Sequence, residues 1–209
     1  GSVLKRYASD PNSDPSKKQL FENYITKYRI PMMTRSDPNA LGDLGKDRYD
    51  LFRQYVWPAH PSVQAWMTSN LMQRMQAIYN DPAYHPSVRY NALLTIGLLD
   101  KQYANESSSN RRPPDPSPEA NTFLIQVLSS GLKDANVSPA MIVGSLIGLE
   151  RHAKYRSSLP QAAQDTMAKG FMAVMSRTKF PQEMSKDVRN WIRTQAATGL
   201  AGASHLVDR

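Results

Sequence analysis

The sequence predicts an all-α fold, an α-α superhelix (solenoid) of about three helical hairpins with a helical N-terminal cap. Three observations carry this expectation. Pro61, Pro86, Pro118, Pro139, Pro160 and Pro181 each precede a segment with helical periodicity, and the last four stand 21 residues apart. Proline suits the first helical turn, where its missing N–H has no intrahelical partner and its fixed φ is already helical. Apolar residues after these prolines recur at three-four spacing, and no comparable stretch alternates with period two, so strands are not expected.

The chain of 209 residues suits a single domain with a sizeable core. The absence of cysteine excludes disulfides, thiolate zinc sites and a cysteine nucleophile. Apolar runs fall short of the ~20 residues a bilayer span needs, so no transmembrane segment is expected. Gly1 and Ser2 read as a protease-cleavage scar on a piece excised from a longer protein.

Residues 3–58 read as the cap region. Asp14-Pro15 opens a helix over Lys17 to Tyr28, with Leu20, Phe21, Tyr24, Ile25 and Tyr28 on one side. A turn-rich stretch with Pro31, Pro38, Gly42 and Gly45 leads to a second short helix, Asp47 to Trp57, carrying Leu51, Phe52, Tyr55 and Val56. Aromatic residues are dense here, among them Tyr49 and Trp57, and are expected to staple the cap to the repeats or to face a partner.

Residues 59–209 read as a helical-repeat domain with hairpins over 61–103, 118–156 and 160–204. The helix from Pro61 carries Val63, Met67, Leu71, Met75 and Ile78; that from Pro86 carries Val88, Ala92, Ile96, Leu99 and Tyr103. Phe123, Val127, Leu128 and Leu132 follow Pro118, and Ala163, Met167, Phe171, Val174 and Met175 follow Pro160. The last helix, from near Ser185, carries Val188, Ile192, Ala196, Leu200 and Ala203. The helix from Pro139 has almost no polar face and should be enclosed. Ser117 and Ser138 are expected as N-caps, and Ser158 with Gln161 has capping-box spacing. Residues 105–117, polar and proline-rich, read as a flexible linker.

A longer period links the hairpins. Val88-Arg89 with Ala92 and Gly97 matches Ile192-Arg193 with Ala196 and Ala201, and Val143, Ile147 and Gly148 follow Ala92, Ile96 and Gly97 at a shift of 51. This pattern resembles the second helix of HEAT-like (armadillo-type) repeats, with Val188-Arg189 as a competing register and Ala140 standing where the middle repeat would have its Arg. The resemblance implies an α-solenoid that recognises partners on the surface of its second helices.

Chemistry is sparse. His60, His85, His152 and His205 form no ligand pair at helical spacing, and His60 and His85 suit turn roles at helix starts. No nucleophile motif or phosphate-cradling loop is present, so no catalytic, metal or cofactor residue is expected and no cofactor is implied. The expected function is a non-enzymatic protein or peptide interaction module, with Arg89, Arg189, Arg193 and Trp191 as candidate contacts. The net charge of +8 leans toward the C-terminal half, where Arg151, Lys154 and Arg156 are a candidate anion or nucleic-acid patch. The alternatives are a basic nucleic-acid-binding protein and a structural domain of an envelope or surface protein. Trp191-x-Arg193 also resembles, in one short match, the helical-repeat DNA glycosylases. That resemblance implies a groove shared by Trp66, Trp191, Arg193 and an acid.

Overall fold

The computed structural model describes residues 2–105 and 111–203, and these are all-α apart from one small ribbon. His205 and the tip of the expected linker, 106–110, lie outside the described residues.

The chain opens with α1 (Ser2–Ser9), a helix without a proline or cap signal in the sequence. It buries Leu4, Tyr7 and Ala8, and its Ala8 carbonyl accepts from the His60 backbone N–H at 2.7 Å. A second helical run follows. It starts with a 3₁₀ turn at Pro15–Lys17 and continues as α2 (Lys18–Tyr24), a π turn over Ile25–Arg29 and α3 (Ile30–Met32). Pro31 was expected to lie in a turn and instead sits inside this run. A proline ring clashes with the carbonyl four residues back, and a π turn, in which Ile30 N–H reaches Ile25 O, widens the helix just before it.

The next helix, α4 (Pro38–Leu51), also differs from expectation, beginning nine residues before Asp47. Its start carries the signal used elsewhere in the chain: Asp37 accepts from Ala40 N–H at 3.0 Å and Pro38 takes the first position. Gly42 and Gly45 lie within it on the solvent side, where an added Cβ would meet nothing within 4 Å. Gly42→Ala and Gly45→Ala should therefore each raise stability by roughly 0.5–1 kcal/mol, read from urea midpoints, because alanine loses less backbone entropy in a helix. A π turn over Phe52–Val56 closes this run.

Two helices form the first hairpin: α5 (Pro61–Asn80) and α6 (Pro86–Ile96). In both, the histidine before the proline is the cap, its Nδ1 accepting from Ser62 N–H or Ser87 N–H. Gly97 ends α6, so Leu99 and Tyr103 leave the helix, yet both stay buried. They do so because β1 (Asp100–Gln102) pairs antiparallel with β2 (Asp115–Pro116), and Asn105 bridges Arg112. Strands were not expected here. The described flanks of the expected linker are thus tied down, with Ser117 N–H bonded to Leu99 O at 3.0 Å.

The remaining helices are α7 (Pro118–Gly131), α8 (Pro139–Lys154), α9 (Gln161–Ser176) and α10 (Lys186–Ala203). Ser117 caps α7 through its side chain, accepting from Ala120 N–H at 3.3 Å. Ser138 holds the N-cap position of α8 without a capping bond, and Ser158 bonds Tyr155 O instead of forming a capping box, because Pro160 is the cap residue of α9. Pro181 lies in the connection; Ser185 accepts from Val188 N–H and opens α10.

Helices α5 with α6, α7 with α8 and α9 with α10 pack as neighbours, while α8 also touches α6 and α10. The second helices run parallel: Tyr90 and Gly97 of α6 meet Gly144 and Gly148 of α8, and Glu150 and Ala153 of α8 meet Gln195 and Gly202 of α10. The α6/α8 crossing is close enough that a Cβ on Gly97 would stand 2.7 Å from Gly148 Cα. Enclosure by these neighbours buries most of α8, as its missing polar face required. From the cap, α4 lies against α6, with Arg48 bonded to the buried Asn91 side chain.

Candidate functional site

A cleft of about 690 Å³ lies where the cap, the ribbon and the end of α8 meet; Arg53, Trp57, Tyr103, Pro114, Arg151 and Tyr155 line it. Arg53 and Trp57 come from the π turn after α4 and its end. There, Trp57 N–H bonds Phe52 O five residues back. The wider turn closes the helix with Phe52, Tyr55 and Val56 in the core while Trp57 stands 40% exposed. Its ring centroid lies 5.7 Å from that of Tyr49, 54% exposed, and 5.8 Å from that of the buried Phe52. Arg53 leans over Tyr49 and pairs with Asp50 at 3.0 Å on the surface.

The floor is built from committed polar groups. Asp100 is 1% exposed, and its two oxygens accept from Arg151 Nη1 at 2.8 Å and Nη2 at 2.6 Å. Nη1 also donates to Gly97 O at 3.3 Å, and the guanidinium stacks 5.9 Å from the Tyr155 ring centre. Burial pushes the Asp100 carboxyl above the usual carboxylate range, against the pull of Arg151. Thr68 Oγ1 donates to Asp100 O at 3.1 Å and shares a 2.8 Å bond with the Tyr103 hydroxyl, whose pKa burial pushes up to about 12. Side chains so engaged offer a rigid, preorganised surface.

The structure places each candidate residue named from the sequence. Arg89 donates from Nε to Tyr79 O at 2.7 Å and lies over that ring, and Arg193 donates from Nε to Met175 O at 3.1 Å. Both acceptors are the next-to-last residue of the first helix in their hairpin, so both arginines close helix ends that lack intrahelical donors. In the middle hairpin, which has Ala140 at that position, Gln182 Nε2 reaches Gly131 O at the end of α7 at 2.7 Å. Arg189 is half-buried beside Lys179 and Met184. Trp191 is 44% exposed on α10, on the helix face of Val188, which was expected in the core and is also exposed.

The expected anion patch does not stand as a free cluster. Arg151 serves Asp100, Arg156 is buried and donates to Gly202 O at 2.6 Å, and Lys154 pairs with Glu150 at 3.2 Å. Trp66 lines a separate cavity with Tyr7 and Phe21 beneath the cap, and neither Trp191 nor Arg193 lines that cavity.

Of the three described histidines, His152 is the one enclosed in the core, with Nδ1 3.3 Å from Asn121 Nδ2. Burial first, then the adjacent Arg151 charge, pushes its pKa down to about 3. A histidine held neutral in the folded state contributes stability above its ordinary pKa of 6.5 and loses it as pH falls toward 3, because the unfolded chain takes up the proton. Urea unfolding should show stability declining across that interval at a slope approaching 1.4 kcal/mol per pH unit from this group. The slope should flatten in His152→Met.

The residues that sequence reasoning missed are Arg53, Asp100, Tyr103 and Tyr155. The aromatic density before residue 60 was the one available signal for Trp57 and Tyr49. Among the described residues, no group of three His, Asp or Glu side chains could hold a metal ion, and no helix is long and apolar enough to cross a membrane. Comparison with family models, with curated proteins and with solved structures gives no match.

Proposed function

We propose that this chain is a HEAT-like helical-repeat module that binds a protein or peptide segment in the cleft between its cap and the end of α8. Trp57 carries the reading: a large aromatic side chain held partly exposed by a π turn, beside exposed Tyr49, at the rim of a cleft with a locked polar floor. Trp, Tyr and Arg dominate binding energy at protein interfaces, and a preorganised floor lowers the ordering cost of association.

The repeat reading draws support from the parallel second helices and from Arg89 and Arg193, which perform the same end-closing bond in the first and third hairpins. Nucleic-acid binding through Arg151, Lys154 and Arg156 is disfavoured, since each is engaged within the chain.

A random peptide library panned on the protein, with Trp57→Ala as counter-selection, tests the reading. Binders that lose at least about tenfold in affinity on Trp57→Ala are expected, the loss typical of a hot-spot residue. A panel in which every binder is indifferent to Trp57 contradicts it.

A further inference from the structure

The chemistry of the ligand can be read from what surrounds the cleft. On the described ribbon residues beside it, Lys101, Arg111 and Arg112 are exposed, whereas Asp100 is buried in its pair with Arg151 and Asp115 is half-buried. Arg53 adds to this charge at the cleft, and its partner Asp50 holds it only in a surface ion pair. Such pairs contribute little in water, so a ligand carboxylate can replace them at small cost.

Among the described residues the ribbon strands, three and two residues long, are too short to offer a ligand an extended pairing edge. β1 packs against α5, with Thr68 bonded to Asp100 O, and β2 packs against the turn at Arg156–Ser158. Recognition therefore falls to side chains, and Trp57, Tyr103, Tyr155, Pro58 and Pro114 line the cleft with rings. Aromatic-lined grooves suit proline in a polyproline II segment, whose extended form is preset and costs little entropy to dock.

Building on the docking function assigned to this cleft, we propose that its ligand is an acidic, proline-containing peptide segment in polyproline II form. Proline rings stack on Trp57, and flanking carboxylates meet Arg53, Lys101 and Arg112. Complementary charge of this kind steers association and makes it sensitive to salt.

Fluorescence anisotropy with a labelled peptide of alternating Glu and Pro tests this. The peptide should bind at low ionic strength and weaken with added salt. Affinity should fall at least about tenfold for Trp57→Ala and for the double variant Arg53→Glu with Lys101→Glu, whose exposed side chains leave the core intact. The counterpart of alternating Lys and Pro should bind at least about tenfold more weakly, and so should alternating Glu and Gly. Equal binding of either counterpart overturns the proposal, as does an oligothymidylate that outcompetes the peptide, which would assign the cleft to single-stranded nucleic acid. If the library panning returns Trp57-dependent binders that are neutral or basic, the acidic ligand fails while the docking site stands. If it returns none that depend on Trp57, the docking site itself fails.

Discussion

Replacing Arg151 by alanine is expected to lower the stability of the protein by about 3–5 kcal/mol, measured by urea unfolding at neutral pH. The reason is the imbalance the substitution leaves behind. Asp100 is 1% exposed and both its oxygens are bonded to Arg151, so the variant retains a buried carboxylate without its counter-charge. The deficit should narrow as pH falls below neutrality, because the Asp100 carboxyl, already raised by burial, then takes up a proton and the stranded charge disappears. Removing both partners, in Asp100→Leu with Arg151→Met, should cost much less than Arg151→Ala alone, since no charge is left stranded. A deficit under about 1 kcal/mol for Arg151→Ala would show that the pair behaves as an exposed one.

Gly97→Ala should destabilise by about 2–3 kcal/mol, although alanine is the better helix former. Its Cβ would stand 2.7 Å from the Gly148 backbone, which belongs to a helix packed on several sides and has no flexible side chain to move aside. The contrast with Gly42→Ala is diagnostic: the same substitution should stabilise where the Cβ points into open solvent and destabilise where two second helices touch. Equal effects at the two positions would mean that the α6/α8 crossing is looser than described.

Much of the helical architecture was legible in the sequence, because proline and its preceding residue report backbone geometry locally. Pro61, Pro86, Pro118 and Pro139 are each the first residue of a helix, and the Gly97/Gly148 coincidence at a shift of 51 marked a true helix contact. Two kinds of feature escaped. The π turns at Ile25–Arg29 and Phe52–Val56 shift the apolar register by one residue, which a fixed helical period cannot anticipate. The ribbon at Asp100–Gln102 is fixed by distant groups, Arg151 and Thr68, that bond Asp100.

The cleft shares this second character, since its walls come from residues near 53, 100, 114 and 151. The arginines singled out by sequence have a different fate. The helix ends that Arg89 and Arg193 close explain why the residue type recurs at those two positions.

The chain has three tryptophans, so their side-chain N–H groups provide three separate reporters. Trp57 stands at the cleft, Trp66 under the cap and Trp191 on α10. The direct test is a two-dimensional nitrogen–proton NMR titration of the indole resonances, assigned by single substitution, with the alternating Glu–Pro peptide. Docking in the cleft predicts that the Trp57 resonance moves progressively with peptide while those of Trp66 and Trp191 hold their positions. Movement of Trp191 with Trp57 unchanged would place the binding surface on the second-helix face and contradict the account.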